Sequence, residues 1–274
     1  MNNLRISLVQ GETRWHDPAG NRDYYGEMIS SLKGITDLVI LPETFTSGFS
    51  NDAIDEAETM DGPTLAWMCE HAAAIDAAIT GSVQIKVGPD VFNRMFWVTP
   101  DGGVAHYDKR HLFRYAGEHE RYTPGRDRLT VEWKGWRICP LVCYDLRFPV
   151  FARNRYDVER PGAPDFDLQI FVANWPAARA HAWNTLARAR AIENLCYVAV
   201  VNRVGPDGNK LSYVGDSALI DFLGQPQLSL HGTEQVATTT ISAAALAAHR
   251  ARFPAMPDAD PFTLDGMDAV CTEG

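Results

Sequence analysis

The chain has 274 residues, of which 46% are hydrophobic, so it can bury a large core within one domain. Acidic residues outnumber basic ones by 35 to 25, and the formal charge is −10. No basic run is present, which disfavours nucleic acid as a partner, and an anionic substrate would need a local basic pocket. No apolar run approaches the roughly 18–20 residues of a membrane helix, so we expect no membrane association.

The cysteines and histidines argue against a disulfide framework and a metal centre. The five cysteines, at positions 69, 139, 143, 196 and 271, include no CxxC pair, a pattern that fits a reduced, cytoplasmic protein. The eight histidines form no HxH or HxxxH pair. The first ten residues enter a strand pattern without a basic and then apolar leader, so we expect no signal peptide. We therefore expect no metal and no cofactor.

Hydrophobic periodicity predicts the elements of the first half of the chain. The continuous apolar run 37–42 is typical of a strand covered on both faces. The other predicted elements are a strand over 4–10, a helix over about 18–33, a loop over 44–60, a helix over 63–78, and a meander of strands over 78–87, 91–99 and 104–107.

The second half continues the alternation of buried strands and helices. It begins with a loop rich in charge and aromatics over 108–128, then a strand over 136–142 that ends at Cys143 and leads into a helix. The remaining elements are a Pro/Gly loop over 160–164, a strand over 168–173, a helix over 181–194, strands over 196–202, 213–222 and 236–241, and a hairpin turn over 205–209. The tail from Phe253 reads as an extended arm that could pack on a partner subunit. This order of elements indicates a layered α/β single domain.

Several apolar strands are followed directly by a reactive side chain: Glu43, Lys109, Cys143 and Asn174. Loops at strand ends supply the sites of layered α/β folds, so these groups would form one site if the strand ends converge. Each residue also has a structural interpretation. Cys143 could be a small buried hydrophobe, Glu43 a cap, and Lys109 a solvated loop charge.

Convergence would supply the parts needed for acyl transfer. Cys143 would attack an amide, and Glu43 would serve as general base. Lys109 would lower the pKa of the thiol and stabilise an oxyanion, with the backbone N–H of Tyr144 as a second donor. Two other classes compete with this hypothesis: a Cys–His hydrolase with His181 or His111 as base, and a protein with no catalytic role.

Four ordered segments resemble motifs of the nitrilase (carbon–nitrogen hydrolase) superfamily. They are Leu-Pro-Glu-Thr-Phe at 41–45, Tyr-Asp-Lys-Arg-His-Leu-Phe at 107–113, Cys-Tyr-Asp-Leu-Arg-Phe-Pro at 143–149 and Asn-Trp-Pro at 174–176. Segments 109–120 and 174–179 carry a narrower resemblance to bacterial omega-amidases. The resemblance implies a single carbon–nitrogen hydrolase domain over 1–274, with 253–274 as a C-terminal arm, folded as a four-layer α-β-β-α sandwich.

The same resemblance implies a Glu43–Lys109–Cys143 triad and a homodimer. It also implies hydrolysis of the terminal amide of 2-oxoglutaramate or 2-oxosuccinamate, giving the oxo-diacid and ammonia. A deaminated glutathione amidase, an N-carbamoyl hydrolase and a true nitrilase are the alternatives within the superfamily. The family places a second glutamate after the lysine, for which Glu118 fits best and Glu120 competes.

Substrate contacts are predicted from the chemistry that a carboxylate needs. An arginine should meet it bidentately, and Arg147 is the nearest candidate, although it could instead pair with Asp145 or Glu193. The aromatic side chains of Phe113, Tyr115 and Trp175 could wall a small pocket. Cys139, on the same strand face as Cys143, should be buried and inert, and Cys69 and Cys196 should lie in the core.

Overall fold

Two β-sheets packed face to face, each with helices on its outer side, form the part of the chain that the computed structural model describes. This part is 2–156 and 164–265, with the backbone alone at 270–272. Its α-helices are α1 (Pro18–Ile29), α2 (Pro63–Ile75), α3 (Ala180–Asn194) and α4 (Ala243–Arg252). Its strands are β1 (Leu4–Gln10), β2 (Leu38–Ile40), β3 (Ala78–Val87), β4 (Asp90–Val98), β5 (Val104–Asp108), β6 (Leu129–Trp133), β7 (Trp136–Val142), β8 (Leu168–Ala173), β9 (Tyr197–Asn202), β10 (Val204–Pro206), β11 (Ser212–Val214), β12 (Ala218–Ile220), β13 (Pro226–Ser229), β14 (Gln235–Ile241) and β15 (Val270–Thr272).

Both large sheets are mixed, with parallel strands at the centre. The first has the order β14-β1-β2-β3-β4-β5, in which β1, β2 and β3 are parallel and their outer neighbours antiparallel. The second has the order β13-β12-β9-β8-β7-β6-β15, with β7, β8 and β9 parallel. Strands β10 and β11 form a separate hairpin.

Alternation along the central strands builds the layers. Leu38 and Ile40 of β2 point into the core shared with the second sheet, whereas Val39 between them packs with Tyr25 and Ile29 of α1. Because both faces of such a strand are covered, its sequence is apolar throughout, as the run 37–42 predicted. The predicted α-β-β-α sandwich is confirmed.

Local sequence signals set the ends of the first two helices. The Asp17 side chain caps α1 by accepting a hydrogen bond from the N–H of Gly20, and Pro18 occupies the first helical turn. Pro63 likewise occupies the first turn of α2. This helix stops where Asp76 adopts the left-handed conformation, with φ 56°.

Asp37, just before β2, connects the two sheets. Its carboxylate accepts hydrogen bonds from Arg5 of the first sheet and from Lys134 in the β6–β7 turn of the second. Its backbone oxygen accepts from Nε1 of Trp133 at 2.9 Å. Burial alone would raise the pKa of Asp37, but the hydrogen bonds from Arg5 and Lys134 outweigh it, so the pKa lies well below its usual range.

Several predicted elements were wrong. The helix expected after Cys143 is a five-residue 3-10 helix, Cys143–Arg147. The strand expected over 213–222 is broken into β11 and β12, because Gly215 and Asp216 both take positive φ. Cys69 was expected to lie in the core, but it is only half-buried. Strands β6 and β13 and helix α4 had not been predicted, although the Ser242 cap of α4, which accepts from Ala245 N, is a recognisable signal.

The C-terminal tail lies along its own chain in the described residues. A 3-10 helix spans Met256–Asp258, and the Asp265 carbonyl accepts a hydrogen bond from Arg110 at 2.7 Å. The final strand β15 pairs in parallel with β6 of the same chain. Of the Pro/Gly loop predicted over 160–164, residues 160–163 lie outside the described part of the chain. Among the described helices, none is long and apolar enough to cross a membrane.

Candidate active site

The strand ends that carried reactive side chains come together between the two sheets. Lys109 directly follows β5 and Glu43 lies three residues after β2, both in the first sheet. Cys143 directly follows β7 and Asn174 directly follows β8, both in the second sheet. Lys109, Cys143 and Asn174 line one pocket, and Glu43 lies behind its wall. The ends of strands from both sheets therefore converge, which is the condition that the sequence hypothesis set for a single site.

Lys109 is the centre of the charged cluster. Its Nζ donates hydrogen bonds to Glu43 Oε1 at 3.0 Å and to the two carboxylate oxygens of Glu118 at 2.9 and 3.0 Å. The side chains of all three are 1% exposed or less. Burial alone would lower the pKa of Lys109, but the charges of Glu118, Glu43 and Cys143 outweigh it and raise the pKa well above its usual value. The ammonium is therefore a permanent positive charge.

Glu43 is held by donors from β4 and from the ends of two other strands. Its Oε1 accepts from Nδ2 of Asn93 at 2.8 Å as well as from Lys109. Its Oε2 accepts from the backbone N–H of Asn174 at 2.7 Å. The Asn174 side-chain amide also donates to the backbone oxygen of Glu43 at 2.8 Å, so the carboxylate is fixed in one orientation.

The structure distinguishes the two candidates for the second glutamate. Glu118 is buried and bonded to Lys109, and the Phe113 N–H also donates to its Oε2. Burial is the largest effect on the Glu118 carboxyl and raises its pKa, even though the Lys109 charge opposes it. The side chain of Glu120 is 73% exposed and approaches His119 at 3.9 Å. Only Glu118 is therefore placed to act on the lysine.

Cys143 occupies a sharp turn at the end of β7. Its φ is 44°, in the left-handed region that non-glycine residues seldom adopt. Asp145 fixes the turn, because its carboxylate accepts from the Val142 N–H at 3.0 Å and from the Tyr107 hydroxyl at 2.8 Å. Tyr144 lies in the first turn of the 3-10 helix, where N–H groups have no intrahelical acceptor. That N–H is available to an oxyanion.

The electrostatic state of Cys143 differs from the sequence prediction. Lys109 does lower the pKa of the thiol, but burial and the negative charge of Glu43 act in the opposite direction and are stronger. The pKa of Cys143 is therefore raised well above its usual value. This direction favours the neutral thiol over the thiolate. Glu43 is the carboxylate whose negative charge acts most strongly on the Cys143 thiol.

The pocket that opens on Cys143 combines aromatic walls with positive charge. Phe49, Phe113, Tyr144, Trp175 and Tyr213 supply the aromatic surface. Lys109, Arg147 and Arg179 are the charged residues of the wall. Two of the three aromatics predicted from the sequence, Phe113 and Trp175, are on the wall. Tyr115 is not: its side chain is 87% exposed, with the ring 5.8 Å from that of Phe113.

Arg147 makes neither of the structural ion pairs considered for it. Asp145 bonds to Tyr107, His111 and Val142, and Glu193 pairs with Arg190 at 2.6 Å. The Arg147 guanidinium instead lies 4.9 Å from the centre of the Trp175 ring, on the pocket wall. This leaves its hydrogen-bond donors free of any carboxylate among the described residues.

Sequence reasoning missed Phe49, which lies on the pocket wall, and three other groups at this site. Asn93 lies inside β4, where no local pattern marks it, and Tyr213 belongs to the β10–β11 hairpin. Arg179 was quoted within the segment 174–179 but given no role. It lines the pocket with its guanidinium 5.2 Å from the centre of the Phe113 ring.

The histidine-based alternative has no geometric support. His111 is stacked on Phe148 and bonded to Asp145, and His181 is exposed at the start of α3. Neither lines the pocket that contains Cys143. Cys139 is buried and burial raises its pKa to about 12, which agrees with the prediction of an inert thiol. In the described ranges, no three His, Cys, Asp or Glu side chains are grouped to hold a metal ion.

Comparison with protein families agrees with this geometry. The model of the carbon–nitrogen hydrolase family matches residues 5–251. The chain belongs to that family. The predicted membership of the superfamily is thereby confirmed.

Relatives of known name and structure extend the match over nearly the whole chain. Omega-amidase YafV of Yersinia enterocolitica is 44% identical over 269 residues, covering 96% of this chain and 100% of the relative. The 2-oxoglutaramate amidase of Bacillus subtilis (strain 168) is 31% identical, covering 80% of this chain and 83% of the relative. The crystal structure of XC1258 from Xanthomonas campestris, a CN-hydrolase superfamily protein with an arsenic adduct in its active site, has 72% identity and a TM-score of 0.95. It covers 96% of this chain and 100% of that one.

Proposed function

We propose that this carbon–nitrogen hydrolase is an omega-amidase that acts through a cysteine thioester. Its substrates are small oxo-acid amides, 2-oxoglutaramate and 2-oxosuccinamate, which it converts to the dicarboxylate and ammonia. Omega-amidase is the activity named for the relatives that are 44% identical to it. The observation that carries the mechanism is the contact of Lys109 with Glu43 beside the thiol of Cys143.

Acylation begins with the neutral thiol. As the Cys143 sulfur attacks the amide carbon, its proton passes to Glu43, so the net charge of the buried cluster does not change. A thiolate formed without that transfer would add a second uncompensated negative charge to a buried site. The raised pKa of Cys143 supports a mechanism in which a base takes the thiol proton during attack.

The tetrahedral intermediate needs donors for its oxyanion. Lys109 and the backbone N–H of Tyr144 lie on the pocket wall next to the sulfur and are the groups proposed for this role. Collapse breaks the carbon–nitrogen bond, and the proton on Glu43 is transferred to the leaving nitrogen, which departs as ammonia. The acyl group stays on sulfur as a thioester.

Deacylation uses the same base a second time. Glu43 takes a proton from water, the resulting hydroxide attacks the thioester, and the carbon–sulfur bond breaks to release the carboxylic acid. The proton returns to the Cys143 sulfur. Glu118 is the positioning residue in both halves, since its two oxygens hold the Lys109 ammonium.

Substrate recognition in this proposal follows from the pocket wall. Arg147 would bind the carboxylate of the substrate bidentately, because no carboxylate in the described ranges pairs with its donors. Phe113 and Trp175 would enclose the short carbon chain. Tyr115, outside the wall, has no place in this assignment.

We also propose a homodimer in the cytoplasm. Cys139 and Cys196 are free and buried in the core, which is compatible with a reducing compartment. Size-exclusion chromatography with light scattering would give a dimer mass. A monomer at micromolar concentration would contradict this part of the proposal.

The test of the proposed activity is ammonia release from a substrate panel. We expect 2-oxoglutaramate to give the highest kcat/KM, ahead of 2-oxosuccinamate, deaminated glutathione, an N-carbamoyl amino acid and a simple nitrile. The Cys143→Ala variant should release no ammonia, and Cys139→Ala should match the wild type. A preference for deaminated glutathione, the carbamoyl compound or the nitrile would refute the omega-amidase assignment and leave the family intact.

A further inference from the structure

The pocket wall carries more positive charge than the single lysine of the Glu43–Lys109–Cys143 triad. In the described part of the wall, the three charged side chains, Lys109, Arg147 and Arg179, are all cations. The carboxylates of Glu43 and Glu118 lie behind Lys109 and already pair with it. No described carboxylate therefore pairs with the two arginine charges, in a chain whose formal charge is −10.

Three other partly buried arginines of the chain pair with a carboxylate. Arg94 pairs with Asp108 at 2.7 Å, Arg137 with Asp167 at 2.8 Å and Arg190 with Glu193 at 2.6 Å. Arg147 and Arg179 have no such carboxylate among the described residues. Each lies over an aromatic ring at the pocket wall instead. Half-buried cations without an anion are costly, so their arrangement fits a ligand that supplies the missing acceptors.

The two guanidinium groups come from different elements. Arg147 ends the 3-10 helix that begins at Cys143, so that helix fixes its position relative to the sulfur. Arg179 ends the 3-10 helix Ala177–Arg179, which leads into α3. A substrate in this pocket meets both cations. The substrate carboxylate can accept hydrogen bonds from one of the two guanidinium groups. The donors of the second guanidinium are then free for a neighbouring acceptor on the substrate.

We propose that Arg179 is the residue that selects the 2-oxo group and rejects a 2-ammonium group. This assignment rests on the proposed omega-amidase function, in which Arg147 binds the carboxylate. A 2-oxo acid carries a carbonyl oxygen next to its carboxylate, and Arg179 donates to that oxygen. Glutamine has the same chain length and the same terminal amide, but it carries an ammonium at that carbon. Two like charges would then face each other in a confined pocket, and glutamine is excluded.

A matched series of three amides tests this selection. The compounds are 2-oxoglutaramate, glutaramate and glutamine, which share one chain and differ at C2 in carrying an oxo group, two hydrogens or an ammonium. For the wild type we expect 2-oxoglutaramate to be preferred over glutaramate by about 10- to 100-fold in kcat/KM, the usual value of a hydrogen bond from a charged donor. Glutamine should be lower than glutaramate, because Arg179 repels it.

Two variants change the charge at this position. Arg179→Met keeps an apolar stem over Phe113, and it should bring 2-oxoglutaramate and glutaramate to within a few-fold of each other. Arg179→Glu should raise glutamine hydrolysis above the wild-type value, because the added carboxylate attracts the ammonium. Arg114→Met, an exposed site outside the pocket, is the control for net charge. Unchanged ratios among the three amides in both Arg179 variants would overturn the proposal.

Binding separates this inference from the proposed function. In a Cys143→Ala background no turnover occurs, and calorimetry gives the Kd of each compound directly. The proposal predicts that adding Arg179→Met weakens 2-oxoglutaramate binding about 10-fold or more and changes glutaramate binding by less. Equal weakening of both would overturn the role of Arg179, even if the wild type proves to be an omega-amidase. Selective weakening would support that role, even if ammonia release favours another amide.

Discussion

Lys109 Nζ lies 2.9 Å from Oε1 and 3.0 Å from Oε2 of Glu118, so this carboxylate uses both oxygens to hold one ammonium. The same nitrogen is 3.0 Å from Glu43 Oε1. Lys109 is thereby kept charged and held between Glu43 and Glu118 at the pocket wall. Its orientation depends on a residue that touches no reacting atom.

The first prediction concerns this positioning. Glu118→Gln removes the charge that anchors Lys109, and we expect kcat to fall about 100-fold or more, in the range of losing one preorganised electrostatic contact. KM should change little, because Glu118 does not line the pocket. Steady-state ammonia release measures both. Glu120→Gln is the matched control, since its side chain is 73% exposed, and it should retain full activity. Equal losses in the two variants would contradict the assignment of Glu118.

The second prediction separates lysine from histidine chemistry. Lys109→Ala should lose essentially all amidase activity, because it removes an oxyanion donor and leaves two buried carboxylates without a cation. Circular dichroism should show the fold retained. His111→Ala and His181→Ala should stay within about tenfold of the wild type, since neither side chain reaches the pocket. Activity that survives in Lys109→Ala would refute the triad.

The third prediction follows from the raised pKa of Cys143. Below that pKa the thiolate fraction grows tenfold per pH unit, so alkylation by iodoacetamide should increase steadily from about pH 6 to pH 9 without a plateau. Cys139, buried and with a pKa near 12, should remain unmodified in the same protein. A plateau near neutral pH would indicate a resting thiolate instead.

Glu43→Gln gives a further check on the same electrostatics. Removing the negative charge lowers the pKa of Cys143, so alkylation at a given pH should become faster than in the wild type. Amidase activity should fall by about 100- to 10,000-fold, because the general base is lost. A variant that lost reactivity toward iodoacetamide along with its activity would show that Glu43 activates a thiolate at rest.

The fourth prediction concerns stability and uses the contact between the sheets. Asp37→Asn should lower Tm by roughly 2–4 °C at pH 7, equivalent to about 1 kcal/mol, since Arg5 and Lys134 are partly exposed. The folded-state pKa of Asp37 is depressed, so its contribution is complete above the unfolded pKa of about 3.9 and decreases as pH falls below it. Differential scanning calorimetry should therefore show that the difference in Tm between the wild type and Asp37→Asn becomes smaller below about pH 4. Asp23→Asn, on the exposed side of α1, should have the same Tm as the wild type.

The residues that the sequence predicted well are those at the ends of strands. Glu43, Lys109 and Cys143 each follow an apolar run, and the strand pattern alone placed them at an edge where sites form. Asn93 had no such signal, because it lies within β4. Its contact with Glu43 depends on β4 pairing with β3 and β5, a long-range arrangement that local periodicity does not encode.

The direction of the pKa shift of Cys143 was harder to predict than the positions of the residues around it. The positive charge next to Cys143 was foreseen, but its effect on the thiol depends on how completely the sulfur is buried and on the distance to Glu43. Arg179 illustrates a similar limit. Its importance becomes visible only when its missing ion pair is compared with the paired arginines elsewhere in the chain.

The proposed mechanism passes through a thioester between the substrate acyl group and Cys143, which acid-quench mass spectrometry can detect. Wild-type protein mixed with excess 2-oxoglutaramate, quenched within milliseconds and digested, should yield a peptide carrying the 2-oxoglutaryl group on Cys143, with Cys139 unmodified. Glu43→Gln protein treated identically should yield none. Ammonia release at the wild-type rate with no acyl group detectable on Cys143, or an acyl group on another residue, would contradict the account.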